Sequence, residues 1–191
     1  LPIAAPSANT SGKPSPTLAE HVYHDMEGTI PLILDGGATM IGIESTVLDM
    51  TSEPPVILRP GKITKEDLEA VIGTVRLSSE IQGNIPKSPG MKYIHYAPEA
   101  PVYLIEKADG LIEKAIAHVQ NDGKKVAILS SEKHPSADYC FPLSAETLYA
   151  SLRKCDQTDA DLILAAISTD ANRSEAMMNR LEKAADHKWF S

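Results

Sequence analysis

The sequence predicts an α/β protein in two parts: half of a mixed α/β domain, then a linker, then a small Rossmann-like three-layer α/β domain. Three observations predict it. Short apolar runs bounded by Gly, Pro and Asp alternate with helix-start signals through the first part of the chain. Periodicity then disappears from Ser78 to Pro98, where Gly83, Pro86, Pro89, Gly90 and Pro98 break any regular element. Beyond that stretch, strand-length and helix-length apolar patterns alternate, which favours an open parallel sheet flanked by helices. The boundaries read from this are 1–80, 81–98 and 99–191.

Taken in order, Ser15 suits a helix N-cap, Pro16 the first helical position, and Thr17 with Glu20 a capping box, for a helix running to Met26 with Gly28 ending it. Pro31 to Leu34 reads as a short strand stopped by Asp35-Gly36-Gly37, with further strands over Glu44–Asp49 and Val56–Leu58. Thr64 caps a helix through Ile72, where Leu68, Val71 and Ile72 share one face, and Thr74–Leu77 returns as a strand. After the linker come a strand at Val102–Glu106, a helix at Asp109–Asn121 closed by Asp122-Gly123, and a strand at Lys125–Ser130. A strand at Tyr139–Leu143, a helix at Ala145–Cys155, a strand at Asp161–Ala166 and a helix at Ser174–Ala185 complete the pattern.

Composition narrows the function classes. With 191 residues, 42% apolar and 23% charged, the chain is an ordinary globular sequence able to bury a sizeable core. No run reaches the roughly 18 to 20 apolar residues of a membrane span. No secretory signal opens the chain, so the expected location is the cytoplasm. Cys140 and Cys155 lack C-x-x-C spacing and suggest neither disulfide nor zinc. A net charge of −8 opposes a large surface for tight nucleic-acid binding, while leaving room for small focused anion sites. The opening Leu1-Pro2-Ile3-Ala4-Ala5-Pro6 reads like mid-domain sequence, so the chain is expected to be a fragment.

No Walker loop, dinucleotide fingerprint, H-E-x-x-H helix or nucleophile elbow occurs. The most informative stretch, Pro6 to Thr17, packs hydroxyls, an amide and Lys13 between prolines and Gly12, and runs into a helix start. Two readings fit it: a phosphate cradle with Ser15 adding a hydroxyl, or a capped surface loop. Ser45 and Thr46 sit side by side on a strand, so one of them can face a cleft. Arg59, held at a strand end by Pro60-Gly61, suits either a phosphate or a structural salt bridge. Met91 to Pro98 gathers a cation, an imidazole and two phenols, either over a nucleotide or docked on a domain. His21 and His24 share a helix face, yet no carboxylate or cysteine completes a metal site with them.

Read as an ordered series, several motifs resemble the YrdC-type threonylcarbamoyl-AMP synthase family in its long, two-domain form. They are Pro6-Ser7-Ala8-Asn9, Ser11-Gly12, Pro14-Ser15-Pro16-Thr17, Asp35-Gly36-Gly37, Glu44-Ser45-Thr46-Val47, Ile57-Leu58-Arg59-Pro60-Gly61, His95-Tyr96-Ala97-Pro98 and Met178-Asn179-Arg180-Leu181. The resemblance implies a YrdC-like catalytic domain, of which the chain holds the C-terminal half. It implies formation of threonylcarbamoyl-AMP and pyrophosphate from L-threonine, bicarbonate and ATP, for later transfer to tRNA by downstream machinery. Ser7, Asn9, Ser15, Arg59, His95 and Tyr96 are the implied ATP contacts. Ala5 and Ser45 border the implied threonine pocket, and Tyr93, His95 and Tyr96 form the implied linker lid. Magnesium is implied with the triphosphate, held mainly by phosphate and water, with no protein metal ligand and no residue assigned as acid or base. The family's K-x-R element is expected before Leu1, so the chain by itself is expected to be inactive. An RNA-binding module is the first alternative; the second, a carbamoyltransferase subdomain of hydrogenase maturation, is opposed by Met178-Asn179-Arg180-Leu181.

Overall fold

The computed structural model describes residues 2, 4–80, 96–168 and 174–190. Its second half is governed by one parallel sheet. The strands β4 (Val102–Glu106), β5 (Val126–Ser130), β6 (Tyr139–Pro142) and β7 (Leu162–Ile167) lie in the order β4-β7-β5-β6, all parallel. Such strands read as continuous apolar runs because helices cover both faces. Every residue of β5 and β7 is buried.

The two-residue period sorts these strands into two cores. Ile105, Val126, Ile128, Leu162 and Leu164 face α3 (Leu111–Asn121), which presents Ile112, Ala115, Ile116 and Val119 at helical spacing. Leu104, Ala127, Leu129, Ile163 and Ala165 face α4 (Leu148–Cys155) and α5 (Glu175–Ala184), which supply Leu148, Tyr149, Leu152, Met178 and Leu181. The outer side of β4 is closed by the chain after α5, where Leu104 donates to the Lys188 carbonyl and accepts from Phe190. That pairing covers an otherwise open strand edge.

The first part is thinner. Here β1 (Val47–Asp49) pairs antiparallel with β2 (Val56–Arg59), which pairs parallel with β3 (Arg76–Leu77). The helix α2 (Lys65–Ile72) starts on a full capping box, with Thr64 and Asp67 each accepting from the other's backbone amide. Ser78–Glu80 forms a single 3-10 turn, and 81–95, the body of the expected linker, lie outside the described residues.

Three expectations need correction. The first helix, α1, spans Ala19–Met26 with Leu18 at the N-cap position and no side-chain cap. Ser15 donates to a carboxylate instead, a charge-assisted bond stronger than a neutral cap, and the Thr17 amide donates to His21 Nδ1. Residues 31–34 form no strand; Leu32 and Leu34 are exposed, and no neighbouring backbone pairs with them among the described residues. Apolar character alone does not make a strand without a partner ladder. The Glu44–Asp49 strand begins only at Val47, because the carbonyls of Glu44 and Ser45 accept from arginine side chains instead.

The two parts touch closely at Gly42. Its φ is +74°, and a Cβ there would collide with the Glu146 backbone, so only glycine fits both the dihedral and the approach. The sheet core sets the expected cost of truncation. Leu164→Ala, at a fully buried site, should lose about 2–5 kcal/mol in urea unfolding. Val71→Ala, at an exposed one, should stay within about 0.5 kcal/mol. Equal costs for the two would contradict the placement of the core.

Candidate functional site

The Pro6–Thr17 loop is shaped by its own side chains. Asn9 Nδ2 donates to the carbonyls of Thr10 (2.9 Å) and Lys13 (3.1 Å), and the Lys13 amide closes a turn on the Thr10 carbonyl. Gly12, at φ +88°, allows that turn and offers its carbonyl to the Ala97 amide. Asn9 Oδ1 is buried with no hydrogen-bond partner among the described residues. Ala5 and Ser7 are exposed at the loop's approach. Lys13 pairs with Glu99 (3.2 Å) and Asp156 (3.4 Å). Desolvation pulls its pKa down, but those two carboxylates outweigh it and hold it above the ordinary lysine value.

Glu44 is the centre of a buried polar hub. Its Oε1 accepts from Ser15 Oγ at 2.6 Å, and its Oε2 accepts from Tyr149 OH at 2.7 Å and Arg180 Nε at 3.2 Å. Arg180 is fully buried, and its Nη1 donates to the Pro60 carbonyl at 2.5 Å. Burial pushes the Glu44 carboxyl toward protonation, but the two hydroxyls and the guanidinium overcome that and hold it below the usual carboxylate range. Burial, followed by the Glu44 charge, pushes the Tyr149 phenol up, which keeps it a donor. Tyr96 is buried here too, stacked on Tyr149 at 5.2 Å with the Arg180 guanidinium 6.0 Å from its ring centre.

Arg59 lies beside this hub, its Nε donating to the Ser45 carbonyl at 3.2 Å. Lys183 on α5 has its pKa lowered by burial and then by the charges of Arg180 and Arg59.

A second clasp lies on the other side of the loop. Arg153 reaches both Asp25 oxygens, at 3.0 and 2.6 Å, and donates twice to the Pro14 carbonyl. Asp25 also accepts from the Thr10 amide, and the Arg153 bonds hold its carboxyl below the usual range.

Of the residues named from the sequence, Ser15, Ser45, Arg59 and Tyr96 gather around Glu44 and Arg180. Asn9 is turned onto its own loop, and Tyr93 and His95 lie outside the described residues. Ser15 is not a helix cap. A cleft of about 680 Å³ between the β2–α2 turn and the start of α5 is lined by Ile43, Pro60, Lys62, Lys65, Glu146 and Ser174 among others, and by none of the expected substrate contacts. Sequence reasoning missed Glu44, Tyr149, Arg180 and the Asp25–Arg153 clasp. A signal existed in α5, where Arg180 occupies the row shared with Ala176 and Ala184, on the face of the helix that is otherwise apolar and buried.

The two carboxylates give the site a pH signature. The ordinary values are 4.5 for Glu44 and 3.8 for Asp25, and both are lower in the folded protein. Their stabilisation is therefore complete above those ordinary values and is lost as the pH falls through the lower folded-state ones. Acid unfolding followed by circular dichroism should show this loss, and Glu44→Gln should flatten the acid limb while lowering stability at neutral pH. An acid limb unchanged by the substitution would contradict the assignment.

Comparison with known proteins agrees with this arrangement of motifs. A family model described as "Threonylcarbamoyl-AMP synthase, C-terminal domain" matches residues 63–186, and one described as "Telomere recombination" matches 1–61. The threonylcarbamoyl-AMP synthase of Bacillus subtilis is 48% identical over 97% of this chain and 57% of its own length. That of Pyrococcus abyssi is 46% identical over 98% of this chain and 58% of its own length. The chain thus spans little more than half the length of these relatives. The crystal structure of P. abyssi Sua5 complexed with L-threonine superposes with a TM-score of 0.86 at 43% identity, covering 97% of this chain and 58% of that one. The two family models, the extent of identity and the shared fold together place the chain in the threonylcarbamoyl-AMP synthase family.

Proposed function

We propose that the protein carrying this chain makes L-threonylcarbamoyl-AMP and pyrophosphate from L-threonine, bicarbonate and ATP, as a nucleotidyltransferase of tRNA modification whose product passes to a downstream tRNA-modifying step. The observation that carries this reading is the likeness to a relative crystallised with L-threonine, spanning nearly the whole chain. Arg59 supports it, because its guanidinium is held at a strand end by the Ser45 carbonyl and ATP is the polyanion the reaction needs. In this reading Ser7, Asn9, Ser15, Arg59 and Tyr96 serve the nucleotide, and Ala5 and Ser45 the amino acid. The sequence-based assignments of Tyr93 and His95 fall outside the described residues. The units proposed are residues 1–80, a linker over 81–98 and a Rossmann-like domain over 99–191.

Chemically, threonine's amine and bicarbonate give a carbamate with loss of water. A carbamate oxygen then bonds to the α-phosphorus of ATP as the bond to the bridging oxygen breaks and pyrophosphate leaves. The protein's work is alignment and stabilisation of charge spreading onto phosphate oxygens. Arg59, on a strand end and tied by Nε to Ser45, is oriented for that work. Ser15 already donates its hydroxyl to Glu44, so a donor contact to phosphate requires it to change partner. Magnesium, implied by the triphosphate, would be held mainly by phosphate oxygens and water and would help neutralise the phosphate charge. Among the described residues no group of three His, Cys, Asp or Glu side chains is placed to hold a metal, and no helix is long and apolar enough to cross a membrane.

The test is pyrophosphate release by a protein that carries this chain at the full length of its relatives. Release should require L-threonine and bicarbonate together. Arg59→Ala should cost about 1.5–3 kcal/mol in kcat/KM for ATP, roughly 10- to 150-fold. Turnover indifferent to threonine would overturn the reading, and wild-type kinetics for Arg59→Ala would assign that residue to structure.

A further inference from the structure

We propose that Arg180 is a positioning residue for the nucleotide site, through which the parallel-sheet part of the chain sets the direction of Arg59. The inference rests on the functional reading above and extends it. The geometry is a closed ring. Arg180 Nη1 holds the Pro60 carbonyl, the residue next to Arg59, while its Nε holds the Glu44 carboxylate and its Nη2 lies 3.5 Å from the Glu44 carbonyl, next to Ser45. Arg59 Nε closes the ring on the Ser45 carbonyl. A single side chain from α5 therefore grips both backbone segments that flank the Arg59–Ser45 contact.

Every other partner in the ring points the same way. Tyr149 from α4 and Ser15 from the loop also donate to Glu44, so the carboxylate cannot rotate without breaking three bonds. Arg180 is completely buried, so a partner lost from its guanidinium is not readily replaced by bulk water, and Glu44 is mostly buried beside it. Buried ion pairs are a weak source of net stability compared with apolar packing, but they fix one geometry among several. Glu44 also offsets the charge of Arg180, pairing with its Nε at 3.2 Å. Arg180 itself supplies no charge to the nucleotide; it acts through Arg59.

A lysine at position 180 keeps the charge but lacks the planar fork that spans Glu44 and Pro60 together. The experiment measures MgATP affinity by titration calorimetry and ATP KM by pyrophosphate release, in a protein at the full length of its relatives. Arg180→Lys is made alone and in an Arg59→Ala background. Alone it should weaken MgATP binding about tenfold, and in the Arg59→Ala background by less than about twofold, the non-additivity expected of residues in one network. Tyr149→Phe, which removes one hydroxyl and keeps the stack on Tyr96, should give a smaller shift with the same non-additivity and serves if Arg180→Lys fails to fold. Additive effects, or loss of thermal stability with unchanged MgATP affinity, would overturn the positioning role while leaving the functional reading intact. Absence of pyrophosphate release from the unsubstituted protein would instead sink the functional reading and this role with it.

Discussion

The Glu44 carboxylate is the constraint on which the first part of the chain depends. It belongs to an irregular segment just before β1, yet three donors from three places converge on it: Ser15 from the loop, Tyr149 from α4 and Arg180 from α5. Removing one member of a buried ion pair costs about 3–5 kcal/mol, because the other charge is left without compensation. The segment lies outside the ladder of the three-stranded sheet β1-β2-β3, which begins only at Val47. Two of the three donors that fix its carboxylate come from the helices of the parallel sheet, which carry the arginine and the tyrosine. The Asp25–Arg153 clasp repeats the same logic for α1 and the loop, again with the guanidinium supplied by the parallel-sheet part.

This division explains what was legible in the sequence. From Val102 onward the elements come out within a few residues of their expected bounds, because apolar periodicity and the burial of both sheet faces demand the same answer. The Thr64 cap was legible for a similar reason, since capping is local chemistry, while its reciprocal partner Asp67 was not picked out. Ser15 was misread because a local signal, hydroxyl before proline before a helix, competed with a carboxylate that lies 29 residues on in sequence and adjacent in space. Leu32 and Leu34 were misread because an apolar run says nothing about whether a neighbouring strand exists.

The packing around the motif residues was not legible in the sequence. Ser15, Ser45, Arg59 and Tyr96 lie around Glu44, Tyr149 and Arg180, the last two supplied by α4 and α5. Tyr149 looks like ordinary core in sequence, and only its hydroxyl's partner reveals otherwise. Arg180 was visible as part of a motif, yet its role depends on the Pro60 carbonyl, a backbone atom that carries no sequence signature at all.

Native-state hydrogen exchange tests the dependence on Glu44 most directly, because it reads local opening without a substrate. If the hub ties the two parts together, amides of residues 47–49 and 56–59 should open in the same event as those of α5 around Arg180, and Glu44→Gln should speed exchange in both places by a similar factor, with α3 on the opposite face of the sheet unaffected. Faster exchange confined to the β1–β2 pair, with α5 as protected as before, would show that the sheet helices stand independently of Glu44 and would contradict the account.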